Sequence, residues 1–333
     1  MGIVFAFCLA IFFLLATGDF ANSLSCAEIQ EKGSGSAFTI DELKTLSKLE
    51  ADDLKSCIVL LGKERLSTEQ SSVIWMSLLD IFGSAGEIPE EYIRQLGWVI
   101  NGIPAEHFMN ISLSDVDTIA SLGKCKELSS AQLSGLRDGV VEQWKGKDID
   151  DFTSFDLITL KQIICSFNSS LLQMIHPISY KDAAVELATL KNCPLDVLQV
   201  LASLATSPDS FGSAAKWTSV QLANVGCVIV GLPSINVLPN EAMEGLTPQI
   251  IDCLPPVTLQ SMSDGQISRF SPAAASALSS SQISALSDSQ KYALSQAVDG
   301  AVDKEKNAAL RHSVDKELYQ ICILIFFNKF LKS

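Results

Sequence analysis

"FSPAAASALSSSQISALSDSQKYALS", residues 270–295, has the composition of a serine and alanine linker, yet its apolar residues fall on a fixed beat. Phe270, Leu278, Leu286 and Leu294 are eight apart, and the register runs back through Met262, Leu254, Leu246 and Leu238. A linker has no use for such regularity. The following position holds Pro239, Thr247, Pro255, Ser263, Ser271, Ser279, Ser287 or Ser295, and a proline comes next at Pro248, Pro256 and Pro272. Apolar residue, hydroxyl residue, proline is the order of a helix start. The N′ side chain packs, the N-cap oxygen accepts from the first turn, and a proline at N1 lacks an N–H that would have had no partner.

Outward from this stretch, Ser or Thr is followed three residues later by Glu or Gln at Thr39/Glu42, Ser67/Gln70, Ser129/Gln132, Thr218/Gln221, Ser263/Gln266, Ser279/Gln282 and Ser287/Gln290. This is the capping box, in which the hydroxyl accepts from the N3 amide and the longer side chain accepts from the N-cap amide. Thr39, Ser129, Thr218, Ser263, Ser271, Ser279 and Ser287 are the N-caps expected from it. Phe38/Leu43, Leu128/Leu133, Trp217/Leu222, Met262/Ile267 and Leu278/Ile283 are the matching hydrophobic staples. One long helix is excluded: at ~100° per residue an eight-residue step overshoots two turns by ~80°, so the apolar position would spiral around the rod. Helices that break at every octad are marginal alone and need neighbours, which stacking supplies. The expected fold is all-α, a superhelical solenoid of short helices.

A larger repeat overlies the octads. Leu96-Gly97-Trp98-Val99-Ile100-Asn101-Gly102-Ile103-Pro104 matches Val225-Gly226-Cys227-Val228-Ile229-Val230-Gly231-Leu232-Pro233. Upstream, Leu54–Cys57 pairs with Leu190–Cys193, and Phe38–Leu43 with Phe152–Leu157, in the same order in each half. The chain is therefore read as a diverged tandem duplication, 19–146 and 147–312, divided at the polar run Gly146–Asp151. The Val/Ile content of the glycine-bounded blocks tempts a strand assignment, but Gly-φ-Pro ends a helix equally well. Repeat equivalence suggests two disulfides, Cys26 with Cys57 and Cys165 with Cys193. It leaves Cys125, Cys227, Cys253 and Cys322 unassigned.

Residues 1–18 combine an apolar run with small residues at Ala16 and Gly18, which is the pattern of a secretory signal peptide. Asn110-Ile111-Ser112 and Asn168-Ser169-Ser170 are N-glycosylation sequons, usable only in the secretory lumen. With 47% hydrophobic residues over 333 positions the chain can bury a core in each half. A net charge of -14 disfavours any nucleic-acid partner that needs a cationic stripe over phosphates.

These residues together resemble the mesothelin, stereocilin and otoancorin superfamily. The resemblance is carried by the φ-Ser/Thr-x-x-Gln-φ helix starts, the Leu-Gly-x-Val/Ile-x-x-Gly-φ-Pro blocks and the exported, cysteine-bearing chain, over about residues 38–300. It implies a right-handed superhelix of armadillo-like helices displayed at the cell surface or in extracellular gel. It also implies a role in cell adhesion, since mesothelin binds a large glycosylated mucin and otoancorin attaches epithelial surfaces to acellular gels. The expected partner is thus an extracellular glycoprotein, mucin or matrix component. Residues 313–333 depart from the family's glycolipid-anchor signal: after Ser313 and a polar stretch, the apolar run Ile321–Phe327 is short and is followed by Asn328 and Lys329. A weak anchor signal and an ordinary buried C-terminal helix both fit.

No constellation for chemistry emerges. His107, His176 and His312 have no second histidine at ligand spacing, so neither a metal nor a cofactor is expected. Gly33-Ser34-Gly35-Ser36, Gly62-Lys63 and Gly123-Lys124 lack the remainder of a phosphate loop. Asp148, Asp150 and Asp151 lack the glycine and closing glutamate of a calcium loop. The expected function is non-enzymatic, an adhesion scaffold. The alternatives are a structural component of an extracellular gel and a secreted enzyme with an unrecognised site.

Overall fold

The computed structural model describes residues 23–125 and 127–298. The leader at 1–18, the tail at 313–333, Cys322 and His312 lie outside the described residues. Every regular element among them is an α-helix or a 3-10 helix, and no strand occurs among them. The chain divides into two compact units, Met1–Gly146 and Lys147–Ser333. The first buries Leu43, Trp75, Ile93 and Phe108, and the second buries Tyr180, Trp217, Leu222 and Ile229.

In the second unit the octads are a series of helix starts. Successive elements are Asn240–Gly245, Pro248–Cys253, Pro256–Gln260, Asp264–Ile267, Pro272–Ser276 and Ser280–Ala285, followed by a helix at 288–298. Each begins two residues after a member of the apolar series, whose side chains from Leu238 to Leu294 are buried. Ser263, Ser271 and Ser279 cap by accepting from Gln266, Ala274 and Gln282 amides, and Ser287 accepts from the Gln290 amide at 3.2 Å. The chain turns at every octad, so elements three octads apart pack together: Asn240–Gly245 on Asp264–Ile267, Pro248–Cys253 on Pro272–Ser276, and Pro256–Gln260 on Ser280–Ala285. One staple differs from expectation. Ile283 is 38% exposed although Leu278 and Gln282 are buried.

The inward glutamines explain the stacking. Gln282 Oε1 accepts from the Ser279 amide at 2.8 Å, while its Nε2 donates to the Ile251 and Leu254 carbonyls at 2.8 and 2.9 Å. Those carbonyls end the Pro248–Cys253 helix, just ahead of the helix on which Ser280–Ala285 packs. Gln266 does the same to Ile235 and Leu238, and Gln290 to Gln260 and Met262. In the first unit Gln70 reaches Phe38 and Ser36, and Gln132 reaches Asn101 and Ile103. Helix ends leave donors open at one terminus and acceptors at the other, and one amide here serves both.

The matched glycine-bounded blocks are 3-10 helices, Gly97–Gly102 and Gly226–Gly231. Gly97 and Gly226 have φ of +52 and +58, and a Cβ on either would lie 2.3 Å from the Gly62 carbonyl oxygen or 2.1 Å from that of Ala188. The close approach lets Trp98 and Cys227 donate to those same carbonyls at 2.9 and 2.7 Å. The second unit holds a further copy of this arrangement, which the matched blocks do not reveal. Phe152-Thr153-x-x-Asp156-Leu157 recurs 65 positions on (152 to 217) as Trp217-Thr218-x-x-Gln221-Leu222, and Lys161, with φ of 44, stands where Gly226 does.

Two substitutions test this account. Gln282→Glu keeps the acceptor for Ser279 but sets a carboxylate against two buried carbonyls, and should cost about 3 kcal/mol in urea unfolding. Glu42→Gln, on an exposed box that reaches no distant carbonyl and loses only a surface ion pair with Lys32, should leave the midpoint nearly where it was. Tyr180, whose buried hydroxyl has no partner among the described residues, offers the converse case. Tyr180→Phe should be neutral or stabilising by up to about 1 kcal/mol in the same measurement, because it deletes a desolvated group that bonds nothing.

Candidate interaction surface

The polar residues that might have carried chemistry are employed in structure. His107 Nδ1 accepts from the Trp75 indole at 2.9 Å, and His176 precedes the Pro177–Leu187 helix as its N-cap residue. Asp148, Asp150 and Asp151 are exposed around a 3-10 turn. No group of three His, Cys, Asp or Glu side chains fit for a metal occurs among the described residues. Gly33 ends the Cys26–Lys32 helix with φ of 78, and Gly35 lies against the Leu61 carbonyl.

Cysteines join neighbouring segments within each unit. Cys26 is bonded to Cys57, and Cys165 to Cys193. A third disulfide, Cys227–Cys253, holds the Gly226–Gly231 block to the end of the Pro248–Cys253 helix. The repeat did not suggest it, because the matching position in the first unit is Trp98. Cys125 has no disulfide partner among the described residues, and burial pushes its thiol up to about 11, so it is poorly reactive.

The sequons stand on the surface. Asn110 ends the Ala105–Asn110 3-10 helix, and its Nδ2 donates to the Glu106 carbonyl at 3.3 Å. Asn168 caps the short Ser169–Leu172 helix through Oδ1, which accepts from the Ser170 amide at 2.9 Å. Beyond Asn110 the chain is organised by Glu90. Its carboxylate accepts from Ser112 Oγ at 2.6 Å, the Ser114 hydroxyl, and the Ser114 and Asp115 amides at 2.9 and 3.0 Å. Burial by itself would raise this carboxyl, but the hydroxyls of Ser112, Ser114 and Thr118 and the Asp115 amide outweigh it and bring it down to about 2. Arg94 Nη1 pairs with Asp115 at 2.5 Å on the same loop.

The solvent face is apolar in places. On the Pro177–Leu187 helix, Ile178 and Val185 are exposed, and the helices packed beside it expose Phe155 and Val220. Two shallow hollows adjoin the sequons. One, in the first unit, is lined by Leu79, Gly83–Gly86, His107 and Asn110. The other, in the second unit, is lined by Ser169, Gln173, Asp196, Gln199, Val200, Ser203 and Leu204. In the first, Ser84 Oγ donates to the Glu87 carboxylate at 2.9 Å and His107 Nδ1 is taken by the Trp75 indole.

Comparison with known proteins gives a consistent set of relatives. The chain is 26% identical to Mus musculus stereocilin over 214 residues, which is 63% of this chain and 12% of stereocilin. It is 25% identical to Mus musculus otoancorin over 246 residues, 71% of this chain and 21% of otoancorin. Homo sapiens otoancorin is 27% identical over 217 residues, or 64% and 18%. The chain thus spans a minor part of each relative's length. No family model matches it.

The Glu90 cluster has a pH signature. Its folded-state carboxyl lies below the unfolded value, so the stability it contributes is complete above about pH 4.5 and is lost as pH falls toward 2. Glu90→Gln should flatten that part of the stability curve in urea titrations run between pH 2 and 6. An unchanged slope would show that Glu90 does not organise the loop.

Proposed function

We propose that this chain, which is similar to stereocilin and otoancorin, is a member of the mesothelin, stereocilin and otoancorin superfamily and an extracellular or cell-surface adhesion protein without catalytic activity. In this reading a solenoid of short helices within each unit presents a broad face to a glycoprotein, mucin or matrix partner. The homology carries the proposal. Three properties of the chain agree with it. Disulfides in both units suit an oxidising compartment. The packing of each octad on the octad three further on suits a stacked repeat, in which neighbours bury what a short helix cannot bury alone. Exposed Phe155, Ile178, Val185 and Val220 supply apolar contact area on neighbouring helices of the second unit.

The test is a binding measurement on the full-length protein secreted from cultured animal cells. Saturable binding to epithelial cells or to mucin-coated surfaces is expected, weakened at least fivefold by the double change Ile178→Ser with Val185→Ser. Both residues are exposed, so the fold should tolerate them. Absence of saturable binding at micromolar protein would sink the adhesion reading and leave a structural gel component. Phospholipase treatment of intact producer cells separates an anchored form from a freely secreted one.

A further inference from the structure

In this molecule Ser, Thr and Gln side chains are mostly committed to capping and clamping. The hollow beside Asn168 is the exception. Ser169, Gln173, Asp196, Gln199 and Ser203 all line it, and none of their side chains bonds another described residue. Asp196, Gln199 and Ser203 project from one face of the Leu195–Thr206 helix, and largely buried Val200 and Leu204 line the hollow beside them. An apolar floor rimmed by hydroxyl, amide and carboxylate groups has the chemistry that receives a pyranose, whose faces are apolar and whose edges are hydroxyls.

The adjacent residue says where that sugar would come from. Asn168 precedes Ser169 and is exposed. Its Oδ1 is held by the Ser170 amide, which fixes the side chain, while Nδ2 bonds no described residue and points to no other task. We propose that Asn168 carries an N-linked glycan whose core N-acetylglucosamine residues lie in this hollow, against the Leu195–Thr206 helix. The attachment takes a polyprenyl-pyrophosphate oligosaccharide as donor. The bond from sugar C1 to the phosphate oxygen breaks, a bond from C1 to Nδ2 forms, Nδ2 loses one proton, and the lipid pyrophosphate departs. The cap survives, since it uses Oδ1 alone. Asn110 differs, because its Nδ2 is already turned toward the Glu106 carbonyl.

The proposal rests on the secretory location argued above, and the two can be separated. Full-length protein from cultured animal cells is mapped for glycopeptides, then compared by thermal midpoint and amide exchange before and after enzymatic glycan removal. The expected result is an occupied Asn168, with a midpoint lowered by 2 °C or more and faster exchange in residues 195–206 once the glycan is removed. Gln199→Ala with Ser203→Ala should keep the glycan and lose both effects. Ser170→Ala, which abolishes the sequon and spares the backbone cap, should match the deglycosylated protein. Equal losses in the wild type and the hollow variant would overturn the seating. A glycan on Asn110 but not Asn168 would overturn it while leaving export intact, and no glycan on either would overturn both. Free diacetylchitobiose is the remaining arm: a tethered sugar enjoys an effective concentration that a free one lacks. Protection of Ser170→Ala by micromolar chitobiose would therefore assign the hollow to a partner's glycan instead.

Discussion

A primary amide carries an acceptor and two donated hydrogens on one rigid plane, and this chain places that plane where two helix ends meet. Gln70, Gln132, Gln266, Gln282 and Gln290 each close the first turn of their own helix and bind the last carbonyls of the element preceding the one they pack on. The partners lie 28 and 31 residues back for Gln266 and Gln282, and 28, 30 and 31 back for Gln290. A constant separation fixes register: a helix one octad out of place would leave both the amide and the carbonyls unpaired in a dry interior. Apolar burial supplies most of the stability of such short helices, and the amide selects which neighbour they choose.

Where the box residue is a carboxylate, the second half of this function is missing. Glu28, Glu42 and Asp156 accept from Ser25, Thr39 and Thr153 amides, but an ionised carboxylate has no hydrogen to offer a carbonyl. Among the described residues, Glu28 and Glu42 fall in the first two α-helices of the first unit, and Asp156 in the first α-helix of the second. Asp156 is instead satisfied by the Lys147 ammonium at 2.6 Å. Amide boxes therefore mark helices laid on an earlier turn of chain, and acid boxes mark helices that begin a unit. In the capping boxes, the choice between an acid and an amide three residues after the cap follows position in the stack.

Much of this was legible in the sequence, because a helix start is written in short-range chemistry. Ser279 three residues before Gln282 and one after Leu278 needs no knowledge of the remainder of the chain. What escaped was set by distance. The Cys227–Cys253 disulfide has no counterpart in the first unit, so repeat equivalence was blind to it. The 65-residue repeat was hidden by Lys161, which adopts a backbone conformation that favours glycine and so removed the signature shared by Gly97 and Gly226. The blocks bounded by glycines read as helical or extended. Their tighter 3-10 form follows from the backbone contacts at Gly62 and Ala188, which lie far away in sequence. Ile283 has the spacing from Leu278 of a staple, yet it is 38% exposed, so spacing alone does not bury the N4 residue.

The same economy bears on function. A chain rich in serine and glutamine has the side chains of a hydrogen-bonding surface, yet caps and clamps withdraw most of them from solvent-facing work. Among the groups the stack does not use are exposed Phe155, Ile178, Val185 and Val220, and the uncommitted polar rim of the hollow beside Asn168. Neither feature needs a catalytic group, and both lie in the second unit on helices whose opposite faces are fully engaged in the core. A repeat that satisfies its own backbone through a single residue type leaves the outer positions free to vary. Binding properties can then change at those positions without disturbing the register that holds the helices together.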